Sequence, residues 1–233
     1  MPENPTQGEA CDTLKGVLKH RCSTLGVDAL VGGHLALRWD PRRPRHGVDP
    51  DVYLVEPAPP LGSRVESLRT WVKGHHAPRV AVEVVSEGTA EIDYFDKPAR
   101  YAEARVHELW VFDPLLLGPG VDGGPFRIQV WRFDARGQYV RVYAGEGPVR
   151  SEELDGWLVV TEDGMKLRIA DDPEGARLWP TEAEAERAAK EAERAAKEAA
   201  LGEVEVERAA KEAALAELAH LRAVLARQGS GEG

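Results

Sequence analysis

Apolar positions early in the chain fall on one stripe, with Cys11, Leu14, Leu18, Cys22 and Leu25 spaced 3, 4, 4 and 3 residues apart, which predicts an amphipathic helix. The period then changes. GHLALRW, from Gly33 to Trp39, alternates polar and apolar residues and reads as a strand, and DVYLVE, from Asp51 to Glu56, as a second strand expected to pair with it as a hairpin. PAPPLGS breaks the pattern, and SLRTWVKGHH reads as a short helical or irregular segment. VAVEVVS, from Val80 to Ser86, is apolar on both faces, as expected of a strand buried inside a sheet. EGTAEIDYFDKPARYAEAR reads as a loop entering a helix, whose regular part should begin one or two residues before Pro98, because proline fits a first turn and breaks an interior one. HELWVFDP is a further strand. FRIQVWRF and YVRVYA form a hairpin through DARGQ, and WLVVTEDGMKLRIAD forms another around Asp163-Gly164. Strands flanking a helix, with hairpins to either side, predict a mixed sheet in an α/β or α+β domain over residues 1–180.

Residues 181–233 form a second region. Thr181 and Glu184 follow Pro180 in the spacing of a capping box, and a helix of roughly 45 residues, about 68 Å long if unbroken, is expected to run to near Gln228. Its AERAAKE units recur every seven residues, and Glu186-Lys190, Glu193-Lys197 and Glu207-Lys211 are favourable pairs. Only its end carries a leucine set, Leu215, Leu218, Leu221 and Leu225. This arm reads either as an oligomerising coiled coil or as a solvated single helix.

Charge narrows the function classes. The formal net charge is -10, with 22 basic against 28 acidic residues before Thr181 and 8 against 12 after it, so bulk electrostatics do not favour a grip on nucleic acid. RWDPRRPRH, from Arg38 to His46, is the one dense basic stretch; it reads as a solvated loop or as a phosphate contact. Cys11 and Cys22 lie about 16 Å apart along one helix, too far for a disulfide, and no Cys/His spacing suggests zinc. MPENPTQGEA lacks the basic start and apolar core of a leader and no run is long enough to span a membrane, so a cytoplasmic protein is expected.

Glu83 is the most informative residue, since a carboxylate among Val80, Ala81, Val82, Val84 and Val85 needs a cation, a donor or a raised pKa. Asp51, at a strand start, and Glu83 are positioned to converge on one magnesium ion, with the main-chain carbonyl of Val84 as third ligand and manganese as a substitute metal. Lys97 supplies an ammonium to orient an attacking water or steady a pentavalent phosphate, and Asp93 and Tyr101 share its helix face four residues to either side. Taken singly, these residues have plainer readings: Asp51 as a turn residue, Asp93-Lys97 as an exposed helical salt bridge, and Tyr101 as core. Asp49, His75 and His76 are expected at the surface, and Asp113 as a turn former.

VDPDVYLV, the segment from VAVEVVS to HELWVFDP, and the alanine-rich arm together resemble the Uma-two group of restriction-endonuclease-like proteins, assigned to the PD-(D/E)xK nuclease superfamily. The resemblance covers roughly residues 8–180. It implies a restriction-endonuclease-like mixed sheet flanked by helices and a divalent-metal-dependent endonuclease acting on DNA, with Pro50-Asp51 as the PD element and Glu83 as the second acid. Val85 stands where the superfamily's lysine usually lies, two positions past the acid, and the resemblance moves that role to Lys97 in the DxxxK of Asp93 to Lys97. Cutting both strands needs two sites, so a homodimer is expected. The rival reading is a nuclease-like module that binds DNA or a protein without cleaving it, the arm being its interaction element.

Overall fold

The computed structural model describes residues 5–121 and 123–229. The chain divides into two units, Met1–Glu182 and Ala183–Gly233. The first is built on a six-stranded mixed sheet in the order β1 (Leu30–Gly32), β4 (Val52–Val55), β6 (Val80–Val84), β7 (Glu108–Phe112), β8 (Ile128–Phe133) and β9 (Tyr139–Gly145). Neighbours are antiparallel except β6 and β7, which run parallel at its centre. Both central strands are buried along their whole length, which is why their sequences are apolar on both faces.

Side-chain alternation sorts these strands onto two cores. Val80, Val82, Val84, Trp110 and Phe112 face one side, where helix α1 (Pro5–Leu25) lays Ala10, Cys11, Leu14, Val17 and Leu18 against them. A three-stranded sheet of β10 (Val149–Ser151), β11 (Gly156–Val160) and β12 (Leu167–Ala170) completes that layer through Leu158, Leu167 and Ile169. Ala81, Val85, Leu109 and Val111 face the other way, toward Tyr101 of helix α2 (Lys97–Glu103) and Ala104, the residue that ends it. A second small sheet closes this face, with β2 (Ala36–Arg38) between β3 (Gly47–Val48) and β5 (Ser67–Arg69), contributing Leu37, Val48 and Leu68. The architecture is α+β, as its sequence predicts.

Three local expectations are corrected. GHLALRW and DVYLVE do not pair: Ala36–Arg38 joins β3 and β5, while Val52–Val55 sits between β1 and β6. LVG at Leu30–Gly32 fills the edge position instead, too short to show a period. SLRTWVKGHH contains a strand, Ser67–Arg69, which needs only its central Leu68 buried. His75 is buried, its Nδ1 accepting the Arg69 N–H at 3.2 Å, whereas His76 is exposed as expected.

Helix α3 runs unbroken over Glu182–Gly229, and Leu201, Leu215, Leu218 and Leu221 are exposed on it. The side chain of Leu225 lies outside the described residues. Among the described residues no helix is long and apolar enough to cross a membrane.

Candidate active site

Glu83 is carried by β6 at the middle of the sheet, and alternation places it on the α2 face between Ala81 and Val85. The antiparallel register Val52↔Val82 sets Asp51, one residue before β4, opposite it. Asp51 Oδ2 accepts the Val84 N–H at 2.8 Å, so the first acid is tied to the backbone immediately after the second. Close packing holds that loop in place: a Cβ on Gly33 would lie 2.3 Å from the Asp51 carbonyl oxygen, so only glycine fits there.

Lys97 enters from above. Its Nζ lies 2.7 Å from Glu83 Oε2 and 2.7 Å from Asp93 Oδ1, and the Tyr101 hydroxyl donates to Glu83 Oε1. Spacing brings the three helix residues to one face, and Pro98 explains the local geometry. A proline lacks the N–H that would close a regular turn, and its ring crowds the preceding one. The chain answers with a π-helical turn over Ile92–Asp96, after which the regular helix starts at Lys97, one residue before Pro98.

Burial separates this pairing from an exposed helical salt bridge. The side chain of Glu83 is 0% exposed, that of Asp93 1% and that of Lys97 19%. Exclusion of water pushes the Glu83 carboxyl up to about 8; Lys97 opposes the shift, while Asp51 and Asp93 reinforce it. Burial likewise raises Asp93, against the pull of Lys97 and a Thr89 hydroxyl at 2.5 Å. Burial also works against the Lys97 charge, but the Glu83 and Asp93 carboxylates outweigh it and hold the ammonium above its ordinary range. Tyr101 is raised by burial and by Glu83, so its hydroxyl remains a donor. Two acids therefore contact one ammonium, and a third, Asp51, lies beside Glu83 and is tied to the Val84 N–H. Asp51, Glu83 and the Val84 carbonyl offer only oxygen, the donor type of hard cations; among the described residues no group of three or more His, Cys, Asp or Glu is placed to hold a metal ion.

Every residue singled out from sequence as part of the site lies here: Asp51, Glu83, Val84, Asp93, Lys97 and Tyr101 meet at one end of the central strands. Asp49 and Asp113 do not. Asp49 is exposed and paired with Arg38 at 3.0 Å, while Asp113 is buried, accepting the Leu117 and Gly118 N–H groups and the Tyr94 hydroxyl.

Sequence reasoning missed Gln7, whose Nε2 donates to the Val84 carbonyl at 3.1 Å and to Asp51 Oδ2 at 3.4 Å. A signal was available, because Gln7 continues the buried stripe of Cys11, Leu14 and Leu18 one turn toward the helix start. A polar residue on such a stripe needs a partner beyond the apolar layer. His34 was also missed; its Nδ1 stands 3.9 Å from Asp51 Oδ1, and its positive φ of 55° is set by a loop no local pattern reveals.

A family model described as "Uma2: Putative restriction endonuclease" matches residues 1–164. The chain belongs to the Uma2 family. This Uma2 protein is similar to a solved structure described as "a putative nuclease belonging to DUF820 from Anabaena variabilis ATCC 29413", at 12% identity and a TM-score of 0.44, over 65% of this chain and 74% of that one. No curated protein matches it. Membership assigns this Uma2 chain to a restriction-endonuclease-like nuclease family.

Proposed function

We propose that the protein is a divalent-metal-dependent DNA endonuclease, with Asp51, Glu83 and the Val84 carbonyl as metal ligands and Lys97 as the catalytic ammonium. The observation that carries this reading is the water-excluded contact of Lys97 with Glu83 and Asp93 beside an Asp51 fastened to the backbone of Val84. Magnesium, or manganese in its place, would neutralise charge developing on the phosphate. The chain's own groups do the rest. Lys97 presents a compact positive charge that can release one carboxylate and hold a water or a phosphate oxygen. Tyr101 and Asp93 fix the orientation of Glu83 and Lys97, and Gln7 holds the Val84 carbonyl and Asp51 in register. Water adds its oxygen to phosphorus, the bond to the leaving sugar oxygen breaks, and the proton lost from water balances the one gained by that oxygen. A double-strand cut calls for two such sites, which a second copy joined through the exposed leucines of α3 would supply.

Plasmid incubated with magnesium or manganese tests the reading. Asp51→Ala, Glu83→Ala and Lys97→Ala should each reduce cleavage about 100-fold or more, and a chelator should stop it. Absence of cleavage with any metal would favour the non-cleaving binder, and cleavage indifferent to all three changes would place the chemistry elsewhere.

A further inference from the structure

The turn between β2 and β3 carries the densest positive charge in an otherwise acidic chain, four arginines against one aspartate from Arg38 to His46. The turn is built, not loose. Asp40 Oδ1 accepts the Arg42 N–H and its Oδ2 the Arg43 Nε–H, both at 2.9 Å, while main-chain bonds from Arg43 to Asp40 and from His46 to Arg43 close two successive turns. Pro41 and Pro44 stiffen the same segment. Arg38 is engaged internally with Asp49 at 3.0 Å. What remains outward is Arg42 at 90% side-chain exposure, Arg43 at 61%, and Arg45, exposed and without an ion pair among the described residues.

The base of this turn is fastened to the helix that carries Lys97. Trp39 Nε1 donates to Glu103 Oε2 at 3.3 Å, His46 Nε2 lies 3.3 Å from the same oxygen, and the two rings meet edge to face at 4.9 Å. Glu103 is six residues beyond Lys97, about 9 Å along the helix axis. From Arg45 the chain runs through β3 to Asp51 in six residues, at most about 21 Å of extended backbone. The arginines and the acids therefore fall within one turn of duplex, about 34 Å.

We propose that Arg42, Arg43 and Arg45 form a phosphate-backbone contact that seats duplex DNA beside the site, independent of base sequence. This rests on the nuclease reading and adds the surface on which the substrate lies. Repulsion between polyanion and acidic body makes such a concentrated contact necessary, and one carboxylate, Asp40, shared by two arginines leaves the tip net positive.

Binding separated from cutting is the test. Full-length protein carrying Asp51→Asn is titrated against a labelled 30-base-pair duplex at several salt concentrations, with and without Arg42→Gln, Arg43→Gln and Arg45→Gln together. Every phosphate that an arginine ceases to neutralise should take about 0.9 from the slope of log affinity against log salt, so the triple change should lower it by about 2.7 and weaken binding about 100-fold at roughly 0.15 M salt. A charge-matched control, Arg187→Gln, Lys190→Gln and Arg194→Gln on α3, should leave both nearly unchanged, and thermal melting should confirm that every variant is folded. A slope unaltered in the turn variant, or lowered equally by the control, overturns the phosphate contact, while metal-dependent plasmid cleavage leaves the nuclease reading standing. Neither binding nor cleavage by the unaltered chain would overturn both.

Discussion

Glu83 sits where strand packing excludes water and shares a single ammonium with Asp93, and its raised protonation carries a definite sign. Between its ordinary value and about 8 the folded chain holds a proton that the unfolded chain has released, so this group's contribution to stability is full in acid and is lost as pH rises through 8. Comparison with Glu83→Gln isolates it. Without metal, the melting temperature of the wild type should fall relative to the variant between about pH 5 and 8 and level off above, and added magnesium should raise the wild type alone; a difference flat with pH would show that the buried acid does not set this dependence. Gln7 offers a second measurement at this scale. Gln7→Ala removes two long side-chain bonds worth about 1 kcal/mol each, so the fold should persist while, on the proposed function, cleavage drops and more magnesium is needed to support it. Unchanged metal dependence would show that the amide does not hold the proposed ligand atoms. Glu83 was legible in sequence because a charge inside five valines and alanines contradicts its surroundings, whereas Gln7 and His34 act across 44 and 17 residues of chain and their partners leave no local mark.

Among the elements, α2 decides most. The helix has seven residues, too few to be stable in isolation, and its position depends on Tyr101 and Ala104 packing under Leu109 and Val111. Ala104→Val inserts volume into a full core and should cost about 1–3 kcal/mol. Because the helix must shift to admit it, cleavage should fall further than the unfolded fraction explains, as read from activity and melting measured in the same buffer. The long buried strands β6 and β7 and the two later hairpins were readable from periodicity and turn chemistry. Short elements were not: Leu30–Gly32, Ser67–Arg69 and Val149–Ser151 span three residues each, and only pairing with other strands makes them strands. The same limit defeated the expected hairpin, since β2 and β4 both carry the right pattern and the choice of neighbour is made by the core.

At the scale of the molecule, the nuclease-like unit and the α3 unit invite separate tests. Truncation after Pro180 should leave metal-dependent cleavage of one strand intact while sedimentation shifts toward the monomer and double-strand cutting declines; an unchanged mass would show that the leucines of α3 do not pair. Gly202→Ala should strengthen that helix by about 1 kcal/mol, visible as greater helicity on heating. The placement of Lys97 carries one more consequence. Where acid and amine share a strand, connectivity fixes their separation, but here the amine is delivered by a small helix clamped over a rigid sheet. On the proposed assignment of metal ligands and ammonium, gentle warming that loosens the clamp would leave a chelator unable to turn over, so inactivation should precede global melting while cation affinity survives.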